Sequence, residues 1–235
     1  MERLDKILVS QGIGSRREVQ KLIKKKNVTV DGEVVVSPEL KIDPENSLIK
    51  VSGQAVEFKK HIYIMMNKPA GVVSASSDKR EKTVIDILPE NLKRKNLFPA
   101  GRLDKDTEGL MIITDDGDFA HKLLSPKKHI YKRYYAELDG EPGESMIFSF
   151  KNGIELNDGT KCLPAKLEIK DKRSAFVEIC EGKFHQVKKM FKSQGLNVKY
   201  LKRVKIGGLE LDSNLHIGSA RELTNYEKTV IFIGK

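Results

Sequence analysis

A glycine-bounded acidic loop contains the residue types in this sequence that are best suited to chemistry. Pro99, Gly101 and Gly109 interrupt regular structure between two apolar runs, so residues 97–113 are predicted to form a strand, a loop and a second strand. Asp104 lies in that loop. A carboxylate held where a rigid strand meets a loop can act on a ligand, although most acidic loops are solvated turns.

A second candidate segment, residues 130–135, is rich in tyrosine and basic residues and lies in a strand predicted over residues 130–138. Side chains alternate along a strand, so Lys132 and Tyr134 share one face, while Arg133 and Tyr135 share the other. Taken alone, such a cluster is more typical of a protein core or an RNA-facing surface than of a catalytic site.

A third candidate segment is a predicted helix over residues 183–194. Apolar residues recur at helical spacing and are predicted to form its buried stripe: Phe184, Val187, Met190 and Phe191. Basic residues occupy a different face: His185, Lys188, Lys189 and Lys192. The helix can therefore pack with one face and offer cations with the other.

The charge of the chain is unevenly distributed. The 235 residues carry a net charge of +10. Residues 1–30 contain eight basic and three acidic residues, and residues 161–205 contain thirteen and four, whereas residues 101–118 contain two and six. This pattern indicates that the basic regions of the protein bind a polyanion around a site that contains a carboxylate. A basic RNA-binding surface without chemistry is the alternative.

Composition excludes several other classes of protein. The longest uninterrupted apolar run, residues 62–66, is far shorter than the ~18 residues of a membrane helix, and the N-terminus is charged where a signal peptide is apolar. We therefore expect a cytoplasmic protein with no membrane partner. Cys162 and Cys180 are predicted to be buried thiols. With no metal-ligand spacing and no phosphate-binding loop, neither a metal nor a cofactor is expected.

The N-terminal residues are predicted to form two helices and a hairpin. Ser15 and Glu18 form a capping box, and Asp31-Gly32 suits a type I′ turn between two strands. The segments LDKIL and SRREVQKLIKKKNVTVDG resemble the S4 (αL-type) RNA-binding domain. The resemblance implies that a set of basic residues contacts RNA phosphates and positions the protein: Arg3, Arg16, Arg17, Lys21 and Lys26.

The three candidate segments resemble, in order, the motifs of the RsuA-type pseudouridine synthases, which act on small-subunit rRNA. The matching stretches are GRLDKDTEGLMIITDDG, the K-x-Y of the tyrosine-rich strand, and GKFHQVKKMF. The resemblance implies that Asp104 is the catalytic carboxylate and that Tyr134 stacks on the flipped base and assists proton transfer. It places Lys188 beside the aspartate, at a position where most members have arginine.

The same resemblance assigns further RNA contacts in the site. Arg102 would contact or replace the displaced base, and His185 and Lys189 would face RNA. Lys189 is also the competing candidate for the position beside Asp104, and a purely RNA-facing role for both lysines is the alternative. The sequence HQVKKMF looks closer to the small-subunit enzymes than to their large-subunit relatives.

These observations predict an α+β protein of two domains. Residues 1–58 form the S4 domain, and residues 59–235 form a pseudouridine synthase domain with a mainly antiparallel, mixed sheet flanked by helices. The expected activity is isomerisation of one uridine in rRNA or an assembly intermediate by a monomer, with uridine 516 of 16S rRNA favoured. The alternatives are a 23S rRNA target and a non-catalytic ribosome-assembly protein of the same fold.

Overall fold

The structure is a computed structural model that describes residues 1–233. The chain divides into two compact units. The smaller contains Met1–Ile62 and Glu90–Leu97, and the larger contains Tyr63–Pro89 and Phe98 onward.

The smaller unit consists of two helices and two small sheets. Its elements, in chain order, are β1 (Glu2–Arg3), α1 (Leu4–Ser10), α2 (Arg16–Lys24), β2 (Val28–Val30), β3 (Glu33–Val34), β4 (Lys41–Ile42), β5 (Ile49–Val51) and β6 (Gln54–Ala55). β1 pairs with β4, and the other four strands form an antiparallel sheet in the order β3-β2-β5-β6.

Local sequence explains the start of α2 and the β2–β3 turn. The Ser15 hydroxyl accepts a hydrogen bond from the Glu18 amide, and the Glu18 carboxylate accepts one from the Ser15 amide, so the predicted capping box is present. Asp31 and Gly32 both have positive φ, as a type I′ turn requires. Both helices bury their apolar stripe against the sheet.

The larger unit is built on one extensive sheet. Its elements are β7 (Tyr63–Lys68), β8 (Phe98–Pro99), β9 (Glu108–Thr114), α3 (Gly117–Leu124), β10 (Lys132–Leu138), α4 (Glu144–Asn152), β11 (Lys166–Asp171), β12 (Ser174–Ile179), α5 (Gln186–Ser193), β13 (Val198–Ile206), β14 (Leu209–Glu210), β15 (Ala220–Glu222) and α6 (Asn225–Val230).

The sheet is mixed and mainly antiparallel, as predicted. Its main path runs β11-β12-β10-β13-β9-β7-β15, and the pairing of β13 with β9 is its one parallel contact within the described residues. At that contact Gly109 lies beside Arg203, with φ of +100°. A β-carbon at Gly109 would clash with the Arg203 carbonyl oxygen, so the close approach of the two strands requires glycine.

Helices bury their apolar faces against this sheet. α3 places Phe119 and Leu123 against Leu110 and Ile112 of β9. Elsewhere the Phe150 ring of α4 lies 5.2 Å from the Phe191 ring of α5, centroid to centroid, and both are fully buried. β9 and α5 are therefore fixed by separate parts of the core.

Some predicted elements differ from the structure. The predicted boundary after residue 58 lies four residues before the division of the chain, and residues 90–97 pack with the smaller unit, although the sequence assigned them to the second domain. The sequence of residues 83–88 resembles a short helix, but these residues form turns in the structure. Cys162 and Cys180 are free and buried, as predicted. Among the described residues no helix is long and apolar enough to cross a membrane.

Candidate active site

A buried lysine at the end of β7 organises the loop that carries Asp104. The Lys68 ammonium lies within hydrogen-bond distance of four backbone carbonyl oxygens: 2.9 Å from Thr107, 3.0 Å from Pro69, 3.2 Å from Asp104 and 3.3 Å from Lys105. Three of these carbonyls belong to the loop. One side chain thus satisfies backbone acceptors that would otherwise be buried without partners.

Charge is retained on this lysine despite its complete burial. Desolvation lowers the pKa of Lys68 to about 8, while the nearby carboxylates of Asp106, Glu108 and Asp104 act in the opposite direction. At neutral pH the side chain is therefore an ammonium with three N–H donors, which it shares among the four carbonyls.

Ser74 and Gly71 hold the loop from its other side. The Ser74 hydroxyl donates to the Leu103 carbonyl at 2.8 Å and accepts from the Leu103 amide at 3.0 Å. The Gly71 amide donates to the Lys105 carbonyl at 2.8 Å. Hydrogen bonds therefore hold the backbone on both sides of Asp104, and this restricts the direction in which its carboxylate points.

Asp104 and Tyr134 line one cavity of about 600 Å³ in the larger unit. Tyr134 projects from β10 with 8 % of its surface exposed, while the Asp104 side chain is one quarter exposed. Arg102, Phe184 and His185 also line this cavity. Three segments far apart in the sequence thus meet at a concave site, the usual geometry of a small-molecule or nucleotide pocket.

Two basic side chains approach the Asp104 carboxylate. His185 Nε2 lies 3.5 Å from one carboxylate oxygen, and Lys188 Nζ lies 3.4 Å from the other. Lys188 makes a shorter contact, 2.5 Å, with the exposed carboxylate of Asp106, and its hydrogen bond lowers the pKa of Asp106. Lys188 therefore lies between two carboxylates rather than pairing with Asp104 alone.

Lys189, the neighbouring cation on α5, has a different partner. Its ammonium donates to Asp158 at 2.9 Å and lies over the Phe184 ring. Of the two adjacent lysines, Lys188 is the one that the structure places at Asp104.

In the smaller unit the predicted phosphate contacts fall into two groups. Arg3 and Arg16 form ion pairs with the buried carboxylate of Asp5, at 3.0 and 3.4 Å. The hydrogen bond from Arg3 is the main cause that lowers the pKa of Asp5 to about 2. A second group is exposed on and after α2: Arg17, Lys21 and Lys26.

Asp116, a second acidic residue near the Asp104 loop, has structural partners. Asp116 accepts hydrogen bonds from the Asp118 and Phe119 amides, which caps α3, and from the Tyr63 hydroxyl at 2.6 Å. Within residues 1–233 no cluster of three or more histidine, cysteine or acidic side chains could hold a metal ion.

Sequence reasoning missed the residues that position the loop. The sequence predicts a turn over residues 67–71 and gives no positioning role to Lys68, Ser74 or Arg203. Arg203 is buried on β13 and donates from Nε to the Leu110 carbonyl at 2.8 Å. A lysine two residues after the apolar run 62–66, at the end of β7, is the signal that could have identified Lys68, because a buried ammonium needs several acceptors.

Comparison with known proteins assigns the chain to a family. Residues 62–193 match the RNA pseudouridylate synthase family, and residues 2–48 match the S4 domain. The chain therefore belongs to the RNA pseudouridine synthases that carry an N-terminal S4 domain.

Full-length relatives support this assignment. The chain is 44 % identical over 229 residues to an uncharacterised RNA pseudouridine synthase of Bacillus subtilis, covering 96 % of each chain. It is 38 % identical to ribosomal large subunit pseudouridine synthase B of Bacillus subtilis, covering 97 % and 94 %, and 38 % identical to ribosomal small subunit pseudouridine synthase A of Yersinia pestis, covering 96 % of each. A crystal structure of a pseudouridylate synthase is 35 % identical, with a TM-score of 0.69 and coverage of 98 % and 100 %.

Replacement of Lys68 tests whether its ammonium supports the loop. Lys68→Met should lower the free energy of unfolding of the larger unit by about 2–5 kcal/mol, because buried carbonyls lose their donor. Urea unfolding followed by tyrosine fluorescence measures this, since the sequence has no tryptophan and all six tyrosines lie in the larger unit.

Lys132→Met is the matched control, because Lys132 is also buried in this sheet but donates only to the Ile130 carbonyl among the contacts described. The decrease in the free energy of unfolding should be clearly smaller for Lys132→Met than for Lys68→Met. Equal urea midpoints for Lys68→Met and the unmodified protein would contradict the supporting role of Lys68.

Proposed function

We propose that this protein converts one uridine of ribosomal RNA to pseudouridine, with uridine 516 of 16S rRNA as the favoured target. The observation that carries the proposal is that Asp104 and Tyr134 line one cavity while the Lys188 ammonium lies 3.4 Å from the Asp104 carboxylate, because RNA binding alone needs no such set. The small-subunit target is favoured by the HQVKKMF segment, which looks closer to the small-subunit enzymes.

A large-subunit target is the second candidate. The relatives named for the large and the small ribosomal subunit are equally similar to the chain, at 38 % identity each. The identity of the modified nucleotide must therefore be measured rather than inferred from similarity.

Asp104 has the central role in the proposed reaction. Isomerisation breaks the N1–C1′ bond of uridine, forms a C5–C1′ bond, removes the proton from C5 and leaves a proton on N1, with no change of oxidation state. A carboxylate beside the nucleotide can act on it while the glycosidic bond breaks. Tyr134 offers a ring on which the base stacks and a hydroxyl that assists the transfer of the C5 proton.

Electrostatics explain the roles assigned to the neighbouring cations. An ammonium 3.4 Å from Asp104 stabilises the negative charge of the carboxylate, and the cavity limits screening by water. Arg102, exposed at the cavity, is placed to occupy the space that a flipped base leaves in the RNA. Lys189 adds positive charge for the RNA backbone, and His185 is the second residue of this segment that would face RNA.

The S4 unit is proposed to hold RNA by its phosphates. Arg17, Lys21 and Lys26 are exposed along one short stretch of chain. Arg3 and Arg16 also contribute charge, although both are ion-paired with Asp5. Such contacts position a protein on RNA without reading its sequence.

The proposed activity and target are tested by mapping pseudouridine in 16S and 23S rRNA transcripts. Carbodiimide-dependent primer-extension stops should fall at uridine 516 of 16S rRNA with the unmodified protein. Asp104→Asn should reduce tritium release from 5-tritiated uridine by at least about 1,000-fold, because the amide keeps the shape but loses the charge.

Asp106→Asn removes the same charge two residues away and should retain measurable turnover. A primer-extension stop in 23S rRNA instead of 16S rRNA would show that the target uridine belongs to the large subunit. Near-normal turnover by Asp104→Asn would refute its catalytic role.

Substitution of the two adjacent lysines separates an electrostatic role from RNA binding. Lys188→Met should reduce kcat by about 100-fold, because a charge that faces the reacting carboxylate is lost. Lys189→Met, whose ammonium donates to Asp158, should change mainly RNA affinity. Lys188→Arg should restore most of the rate. A loss confined to affinity in Lys188→Met would indicate a phosphate contact instead.

Salt dependence tests the S4 contacts. The double substitution Arg17→Gln with Lys21→Gln should weaken rRNA binding and reduce the slope of log K against log salt by up to about 1.8, since each phosphate contact contributes about 0.9 on a duplex. Lys172→Gln with Arg173→Gln removes the same charge from the exposed β11–β12 turn and serves as the control. An unchanged slope in the Arg17 and Lys21 variant would exclude these contacts.

A further inference from the structure

Phe184 is an exposed aromatic residue at the candidate active site. The sequence predicted that it belongs to the buried stripe of α5, and this prediction is wrong: α5 begins at Gln186, and Phe184 is 73 % exposed. Its ring lines the cavity that contains Asp104 and Tyr134. A large apolar surface is thus left in water beside the site.

One face of the Phe184 ring is covered by its neighbour. The ring stacks on the His185 imidazole, with centroids 3.8 Å apart and an interplanar angle of 20°. The same imidazole reaches Asp104 through Nε2. The Lys189 ammonium lies 5.5 Å from the centre of the Phe184 ring. The stack therefore extends the site outward from the carboxylate.

The segment that presents Phe184 is firmly fastened. The buried side chain of Gln186 accepts from the Lys183 amide at 2.9 Å and donates to Glu181 at 2.6 Å. Glu181 also accepts from Lys183 Nζ at 2.6 Å and from the Leu163 amide at 2.8 Å. His185 has a left-handed φ of 52°, a conformation that costs energy in a residue other than glycine.

Exposure of Phe184 is therefore built into a rigid segment. An aromatic ring held in this way loses little conformational entropy when it is covered, so it is suited to a binding contact. A flat ring backed by a second ring and flanked by cations suits a nucleobase, which stacks, and its phosphate, which is negatively charged. Arg102 and Lys183 supply further positive charge at the cavity.

We propose that Phe184 stacks on the nucleobase next to the uridine that enters the cavity. This inference rests on the proposed rRNA substrate. The target uridine is assigned to the interior, because Tyr134 and Asp104 are far less exposed than Phe184. Phe184 is then a positioning residue, which holds the flanking nucleotide and does not touch the reacting atoms.

Kinetics of four variants test this role. The substrate is an rRNA fragment around the mapped uridine, labelled with 5-tritiated uridine. Phe184→Ala and Phe184→Leu should each raise KM by roughly 5- to 100-fold, the range expected for loss of one base–aromatic stack, with kcat within about threefold. Phe184→Tyr should remain close to the unmodified protein. Phe148→Ala, which removes an equally exposed phenylalanine outside this cavity, should have no effect.

A double-mutant cycle identifies the stacked base. KM is measured for the unmodified and the Phe184→Ala proteins on the intact substrate and on substrates with an abasic site on the 5′ or the 3′ side of the target. At the stacked position the abasic site should raise KM for the unmodified protein but add little to the defect of Phe184→Ala.

The outcomes separate this inference from the proposed function. If the unmodified protein forms no pseudouridine in rRNA, the proposed function fails. If it is active but Phe184→Leu behaves normally, or if both abasic sites are additive with Phe184→Ala, the stacking role is refuted. A normal KM in every Phe184 variant would refute stacking on a nucleobase and favour contact of the exposed ring with a protein partner.

Discussion

The hydrogen bonds from one buried ammonium determine where the Asp104 carboxylate can lie. A loop that turns sharply between two strands exposes carbonyl oxygens that no strand partner can satisfy. Lys68 supplies the missing donors, because its ammonium lies within hydrogen-bond distance of the Pro69 carbonyl and of three carbonyls of the loop. The desolvation of the lysine and the desolvation of the carbonyls therefore offset each other, and neither is stable in this position without the other.

The strand that follows the loop imposes a second constraint. β9 is the only described strand that pairs in parallel with β13, and Gly109 allows the two backbones to approach closely. β13 also pairs with β10, which places Tyr134 opposite Arg203. Backbone hydrogen bonds of the sheet thus fix the positions of the Asp104 loop, Tyr134 and Arg203 relative to one another. Side chains from distant parts of the chain keep their relative positions because the sheet holds them.

Features that depend on local sequence were predictable, and features that depend on tertiary contact were not. The capping box at Ser15, the alternating faces of β10 and the antiparallel pair β11–β12 follow from spacing and turn chemistry. Lys68 and Phe184 were both misassigned. Residue type predicts an exposed lysine and a buried phenylalanine, whereas the loop carbonyls hold the lysine inside, and a left-handed turn at His185 directs the phenyl ring outward.

The position of Lys188 between two carboxylates shows how RNA could change the site without moving its backbone. Asp106 is largely exposed, so its contact with Lys188 is screened by water, whereas Asp104 lies at the cavity. RNA that covers the cavity removes water and brings phosphates, which repel the exposed carboxylate. Both effects strengthen the attraction of Lys188 to Asp104 relative to Asp106. If rRNA binds at this cavity as proposed, we therefore expect the Lys188 ammonium to move toward Asp104, so that its charge faces that carboxylate when the target uridine is bound.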